Sequence, residues 1–166
     1  MSEAALLREL ADKQAITEQI YRYCRAVDRL DIPLGHSVFH EDSFADYGAD
    51  FYQGPGRGVI DLICQSHLGL THHSHQVSNI LITLDGDRAG SESYVTGTMR
   101  LKRGEAIVQL AVWGRYIDSW SRRDGAWGID RRFTMMEFDE SREVKPTGRP
   151  LRSGRGPDDP SYAVLG

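Results

Sequence analysis

The stretch HHSHQVSNILITLDGD, residues 72–87, decides how this chain is interpreted. It begins with three histidines and continues as an apolar strand that ends in an Asp-Gly turn signal. Side chains alternate between the two faces of a strand, so His73 and His75 point one way and His72 the other. We predict that His75 faces a pocket and acts as a base together with a carboxylate from upstream. The alternative is that these histidines lie at the surface or at the edge of the core.

Period-two alternation continues after this stretch and predicts a meander of four long antiparallel strands. Turn signals that contain Asp, Arg and Gly connect these strands. The predicted strands cover residues 72–84, 90–102, 106–121 and 126–138.

The residues before the histidines instead show the three- and four-residue spacing of amphipathic helices. This spacing predicts a long helix over residues 4–30, a short helix over 34–39 and a third over 58–70, with a short strand at 43–48. Helices followed by a run of hairpins indicate an α+β fold. We expect a cone-shaped, curved antiparallel sheet wrapped around the long N-terminal helix and two shorter helices, enclosing an apolar cavity.

Composition divides the chain into one domain, residues 1–138, and a tail, residues 139–166. A domain of this length can bury a sizeable core and still enclose a cavity. The tail is rich in Gly, Pro and charged residues, so we expect it to be extended and to be ordered only where Tyr162–Leu165 dock.

Composition also narrows the choice of partners. The net charge of -4, without a long basic run, argues against nucleic acid as the main partner. Because the apolar runs fall well short of the ~20 residues that span a bilayer, and the charged N-terminus lacks the core of a signal peptide, we expect no membrane partner and a cytoplasmic protein. Cys24 and Cys64 lie outside any CxxC pattern, so we expect reduced, buried thiols without zinc.

Asp28, near the end of the long helix, is the carboxylate that we expect to pair with His75. A neutral imidazole is the best general base near neutral pH, and a buried carboxylate can fix its tautomer and stabilise the imidazolium that forms. Helical rotation also puts Tyr23 at the margin of the same apolar stripe. The alternative for Asp28 is a solvated carboxylate that pairs with Arg25 or Arg29.

Further residues of the sequence are candidates for binding substrate or for stabilising developing charge. Asn79 lies four residues after His75 and, by strand alternation, on the same face, where it could bind a substrate oxygen. Tyr47 and Tyr23 are phenols that could donate to a developing oxyanion, although each is more often a core aromatic. An inward Arg132 would anchor substrate, but periodicity does not decide between it and Arg131.

A metal site is not favoured by the residue pattern. His73 and His75 form an HxH pair, but no third ligand follows at a matching spacing. We therefore predict no metal and expect His73 to line the cavity entrance as a substrate-binding residue. A nucleophile motif such as GxSxG is also missing from the sequence.

Four local features together resemble a SnoaL-like member of the nuclear transport factor 2-like superfamily, over about residues 5–138. The helix ends in YRYCRAVDRLD, and a strand with a His-x-x-x-Asn pattern leads into a GDxA hairpin. The short strand FADYG lies between them, and the last hairpin contains RxDGxWxI. Scytalone dehydratase, bile-acid 7α-dehydratase and hexachlorocyclohexane dehydrochlorinase are members of this group.

The resemblance implies a cofactor-independent lyase or isomerase with an Asp–His dyad, which Asp28 and His75 match. Tyr23 and Tyr47 match two tyrosines of the bile-acid enzyme, and Arg132 is a looser match to an arginine of the last strand. The dehydrochlorinase has a lysine at the position of Tyr23, which counts against dehalogenation here. The ketosteroid isomerase branch uses a carboxylate base, from which His75 departs.

Further expectations follow from the resemblance for the partners of this chain. The expected substrate is a small, apolar, cyclic molecule of polyketide or steroid type, and the expected assembly is a homo-oligomer, either a dimer or a trimer. The alternative function is a non-catalytic small subunit or binding protein of the same fold, like the small subunits of ring-hydroxylating dioxygenases.

Overall fold

The computed structural model describes residues 2–165, and the predicted order of helices and strands is confirmed. Helix α1 begins where the Ser2 side chain accepts a hydrogen bond from the amide of Ala5, and it ends where Leu30 adopts a left-handed conformation with φ 57°. The helices are α1 (Glu3–Arg29), α2 (Ile32–Val38), α3 (Gly56–His67) and α4 (Tyr162–Leu165), and the strands are β1 (Phe39–Asp46), β2 (Gln53–Pro55), β3 (His72–Asp85), β4 (Arg88–Arg103), β5 (Ala106–Arg123) and β6 (Ala126–Val144).

The strands form one curved, open, six-stranded sheet in the order β2-β1-β6-β5-β4-β3. This confirms the expected α+β fold with one difference, because β1 runs parallel to β6 and makes the sheet mixed rather than antiparallel. That pairing joins segments far apart in the sequence, so no hairpin signal could predict it. Strand β6 also continues to Val144, where it pairs with Ile107 of β5.

The core lies between the inner face of the sheet and the apolar stripe of α1. Ile16, Ile20 and Val27 of this helix are fully buried, and α1 packs mainly on β3 and α2. Burial of each such side chain contributes roughly 1.5–3 kcal/mol. Trp120 and Ile129, from β5 and β6, complete the core from the opposite side. Among residues 2–165, no helix is long and apolar enough to cross a membrane.

Strand β3 contains a bulge that changes which residues face the core. His75 pairs with Gly97 in regular register, but the register shifts between Ser78 and Leu81. Odd-numbered residues face inward before the shift, and even-numbered residues face inward after it. The extra residue is Asn79, whose φ of 52° is left-handed and suits asparagine better than most residues.

The segment after β6 is mostly irregular and packs on the domain through polar contacts. Arg25 donates to the hydroxyl of Ser161 at 2.7 Å, and the Tyr162 hydroxyl donates to Asp31 at 2.6 Å. Val164 is 82% exposed, so docking of this segment depends on polar groups more than on its last apolar side chains.

Candidate active site

Asp28 and His75 are brought together where the last turn of α1 crosses the start of β3. Nδ1 of His75 lies 2.7 Å from Oδ1 of Asp28, and the backbone N–H of His75 donates to both carboxylate oxygens at 3.0 Å. A carboxylate only accepts hydrogen bonds, so Nδ1 of His75 carries a proton, and in the neutral imidazole Nε2 then has the free lone pair. Both side chains are mostly buried, at 12% and 15% exposure. Asp28 is therefore not a solvated helix-end carboxylate.

A cavity of about 450 Å³ lies between α1, α3 and the inner face of β4, β5 and β6. Most of its wall is apolar, and none of the described residues that line it is an aspartate, glutamate, lysine or arginine. The strands supply Val95, Met99, Leu110, Val112, Met135 and Met136 to this wall. His75 lies on the wall, so its imidazole borders an apolar space in which uncharged molecules are favoured over ions.

Two phenols meet at another part of the cavity wall. The hydroxyl oxygens of Tyr23, from α1, and Tyr47, which follows β1, are 2.7 Å apart, and both residues line the cavity. Burial raises the pKa of Tyr23 well above its usual value, so this phenol stays protonated. One hydroxyl donates to the other, which leaves the second proton available to an oxygen in the cavity.

Arg132 points inward, and Arg131 is exposed. The Arg132 guanidinium is fully buried and forms two hydrogen bonds of 2.7 Å to Asp118, its cross-strand neighbour on β5. Its central carbon lies 4.2 Å from the ring centre of Tyr23 and 4.1 Å from that of Tyr116. Arg132 thus packs against the rings of Tyr23 and Tyr116. It is not among the residues that line the cavity, whereas a substrate anchor would line it.

His73 is also held away from the cavity wall, contrary to the expectation that it lines the entrance. Its Nε2 lies 3.0 Å from the carbonyl oxygen of Val27, and its Nδ1 lies 3.2 Å from a guanidinium nitrogen of Arg155 in the tail. The carbonyl requires a donor and the guanidinium an acceptor, so this ring is neutral. Burial lowers the pKa of His73, which agrees with that assignment.

The prediction that Asn79 shares the inward face of His75 is wrong. Asn79 is exposed because the β3 bulge reverses the alternation at this residue. It supplies the left-handed backbone that the bulge requires and does not line the cavity.

His67 and Tyr116 also line the cavity, and neither is among the site residues predicted from the sequence. The His67 ring stacks on the His75 ring with 5.6 Å between centres, and burial lowers the pKa of His67 to about 4. The sequence does contain a signal for the inward position of His67, because His67 continues the helical stripe of Ile60 and Ile63. Tyr116 follows strand alternation on the buried side of β5.

The histidines do not converge as metal ligands would. The His73 and His75 rings are 6.4 Å apart at an interplanar angle of 68°, and each uses a ring nitrogen in a hydrogen bond to protein. Within residues 2–165, no cluster of three or more His, Cys, Asp or Glu side chains is arranged to hold a metal ion.

A larger and more open groove, of about 840 Å³, lies between the start of α1 and the β3–β4 turn. Most of its charged side chains pair with one another, since Arg122 contacts both Asp12 and Asp87 and Lys13 contacts Glu9. We place the candidate site in the smaller cavity because a base, two phenols and an apolar wall meet there.

Comparison with known proteins gives one family match and a set of similar folds. The family described as SnoaL-like domain matches residues 8–133. No curated protein matches the chain.

Three solved structures illustrate the similarity of fold. A candidate scytalone dehydratase from Novosphingobium aromaticivorans is 22% identical, with a TM-score of 0.70, and the match covers 86% of this chain and 97% of that one. A candidate aromatic ring hydroxylase from the same organism is 26% identical, with a TM-score of 0.69 and coverage of 81% and 94%. A hexachlorocyclohexane dehydrochlorinase, LinA type 2, is 19% identical, with a TM-score of 0.71 and coverage of 86% and 99%.

Proposed function

Because the chain belongs to the family of SnoaL-like domains, we propose that it is a cofactor-independent lyase or isomerase that removes a proton from an apolar cyclic substrate. The observation that carries the proposal is the hydrogen bond of 2.7 Å between His75 and Asp28 at the wall of a largely apolar cavity. A base held in one tautomer beside an apolar space is the arrangement that proton abstraction requires.

The proposed reaction begins with Nε2 of His75. This nitrogen takes a proton from a carbon next to a carbonyl group, and the electron pair of the broken C–H bond forms the carbon–carbon double bond of an enolate. Asp28 stabilises the positive imidazolium that results. General base catalysis of this kind typically contributes ~10²–10⁴-fold to the rate.

Tyr23 and Tyr47 are the proposed donors to the enolate oxygen. Their coupled hydroxyl groups present a proton beside a largely apolar wall, where a hydrogen bond to developing charge is strong. In a dehydration, the enolate collapses and expels a hydroxyl group from the next carbon, which leaves as water with the proton that His75 accepted. In an isomerisation, the same proton returns to a different carbon. Neither route changes the oxidation state of the protein.

Exchange of carbon-bound hydrogen tests the proposal without knowledge of the natural substrate. The protein is incubated with 1-tetralone, a flat apolar ketone, in D₂O, and loss of the signal of the protons next to the carbonyl is followed by proton NMR. We expect catalysed exchange by the wild type and a loss of at least ~100-fold in His75→Ala and in Asp28→Ala.

His36→Ala is the matched control. His36 forms a similar pair with Asp61, at 2.8 Å, but this pair is exposed and does not line the cavity. We expect the wild-type exchange rate in this variant and an unchanged circular dichroism spectrum in all three. Exchange at the wild-type rate by a folded His75→Ala or Asp28→Ala protein would contradict the mechanism.

The second candidate function is a non-catalytic subunit or binding protein. The resemblance to the small subunits of ring-hydroxylating dioxygenases favours it, and the fold is also similar to that of a candidate aromatic ring hydroxylase. Binding of 1-tetralone in the cavity without catalysed exchange, measured by ligand-observed NMR, would support this function over the first.

A further inference from the structure

Gly97 lies at a position where the backbone conformation does not require glycine. It lies in the interior of β4, opposite His75 of β3 and Val112 of β5. Glycine weakens a strand interior and usually marks a positive φ, a bulge or a close approach. Gly97 is not among the described residues with positive φ, and the pairing of β4 with β5 is unbroken along the strand. The remaining reason for glycine is space.

That space lies next to the free nitrogen of the proposed base. A Cβ atom at position 97 would lie 3.4 Å from Cδ2 and 3.5 Å from Nε2 of His75, and 3.0 Å from a methyl group of Val112. Asp28 occupies the Nδ1 side of the ring, so Cδ2 and Nε2 form the edge from which the base acts. Because Gly97 itself lines the cavity, its missing side chain leaves this edge open.

The opening is a notch one residue wide. Val95 and Met99 lie two positions before and after Gly97 on the same strand face, and both carry side chains into the cavity wall. Val112 bounds the notch on the neighbouring strand. We expect a flat ring to lie against the bare backbone between these side chains, and a small acyclic molecule to reach Nε2 without needing the notch.

We propose that Gly97 determines how wide a carbon skeleton can bring an acidic C–H bond to Nε2 of His75, and that it selects flat, uncharged, fused-ring substrates. This inference rests on the proposed function of His75 as the base. Gly97 would then determine specificity, although it neither holds the imidazole nor donates a hydrogen bond to the substrate.

Substitutions of increasing volume at Gly97 test the proposal with two ketones. Deuterium exchange is measured for 1-tetralone, which has two fused rings, and for butanone, which has none. We expect Gly97→Ala to lower the exchange efficiency for 1-tetralone about tenfold and Gly97→Val to lower it at least ~100-fold. Exchange of butanone should fall by less than about threefold in both variants.

Gly90→Ala is the matched control on the same strand. A Cβ atom at Gly90 would meet no atom within 4 Å, so this variant makes the same chemical change without filling the cavity. We expect wild-type exchange of both ketones. Equal losses for both ketones in Gly97→Val, or undiminished exchange of 1-tetralone, would overturn the proposal.

A second measurement separates this inference from the proposed function. Binding of 1-tetralone in the cavity, measured by ligand-observed NMR, does not depend on catalysis. We expect Gly97→Val to weaken this binding at least ~fivefold because its side chain fills the space beside His75, even if the wild type exchanges neither ketone. In that case the proposed function fails and the assignment of the notch stands, whereas unchanged or undetectable binding of 1-tetralone overturns the notch. If Gly97→Val does not fold, the Gly97→Ala protein decides both measurements.

Discussion

At the scale of single residues, the candidate site depends on where protons are held. The Asp28 carboxylate accepts from the ring and from the backbone of His75, so it fixes both the tautomer and the orientation of the imidazole. Neighbouring histidines differ only in their surroundings. His73 is fixed between a carbonyl and a guanidinium, and His67 is held neutral by burial. Three residues of one type therefore hold their protons in three different ways.

Burial of His67 predicts how stability changes with pH. The pKa of His67 falls from its usual 6.5 to about 4 in the folded protein. Between these two values the unfolded chain binds a proton that the folded protein excludes, so stability falls as the pH is lowered through this window. The contribution of neutral His67 to stability is fully present above the pKa of the unfolded chain, and it is lost as the pH falls toward the pKa of the folded protein.

We expect His67→Phe to retain more stability than the wild type at acid pH, by on the order of 3 kcal/mol near pH 4. Phenylalanine keeps the ring and the burial but binds no proton, and Nδ1 of His67 has no hydrogen-bond partner within residues 2–165 that would be lost. Urea unfolding from about pH 7 to pH 4 measures the effect. Parallel loss of stability in the two proteins would contradict it.

At the scale of elements, the β3 bulge decides which side chains of the opening stretch reach the cavity. Before the bulge, His75 and Val77 face inward, and after it Ile80 and Ile82 do. Without the extra residue Asn79, the strand would turn either its histidines or its apolar half away from the core. Because of the bulge, one end of β3 contributes a side chain to the cavity wall and the other end contributes side chains to the core.

The left-handed backbone of Asn79 gives a prediction for stability. Asn79→Gly should keep or raise the free energy of unfolding, while Asn79→Val should lower it by about 1–2 kcal/mol, because a β-branched residue is strained at positive φ. Since Asn79 does not line the cavity, exchange of 1-tetralone should match the wild type in Asn79→Gly. If Asn79→Gly lost the exchange of 1-tetralone while its stability stayed unchanged, Asn79 would have to be counted among the site residues. Chemical denaturation and the NMR assay provide the two readouts.

At the scale of the whole molecule, the outer face of the sheet carries an exposed apolar patch. Ile117 lies opposite Phe133 across β5 and β6, and Phe44 of β1 projects beside them. Each of the three is between 38% and 39% exposed. We propose that a second copy of this chain covers the patch, in a dimer or trimer, as the resemblance to the superfamily implies.

A charge in this patch should dissociate the proposed oligomer. We expect Phe133→Asp to lower the mass measured by light scattering to that of one chain, because an unpaired buried carboxylate opposes association. Leu81→Asp is the matched control, since Leu81 is 69% exposed on β3, an edge strand that does not contribute to the patch. It should leave the mass unchanged. A wild type with the mass of one chain would refute the proposed oligomer.

The sequence by itself determined the element order and the α+β class, and it offered Asp28 and His75 as candidates for a base and its carboxylate. Periodicity is a local property, and it places helices and strands wherever an apolar face must be buried. The carboxylate and the imidazole were recognised because few residue types can hold and move a proton near neutral pH, and the family resemblance supplied their spacing.

Only the tertiary structure decided the parallel β1–β6 pairing, the outward position of Asn79 and the withdrawal of Arg132 behind the tyrosines. It also brought His67 to the cavity and set Gly97 opposite His75. Several of these features depend on which segment packs against another: α3 sets His67 beside His75, and β6 pairs with β1, which lies far from it in the sequence. Spacing along one strand or helix predicts the face on which a side chain lies, but the packing and register between elements fix its partner.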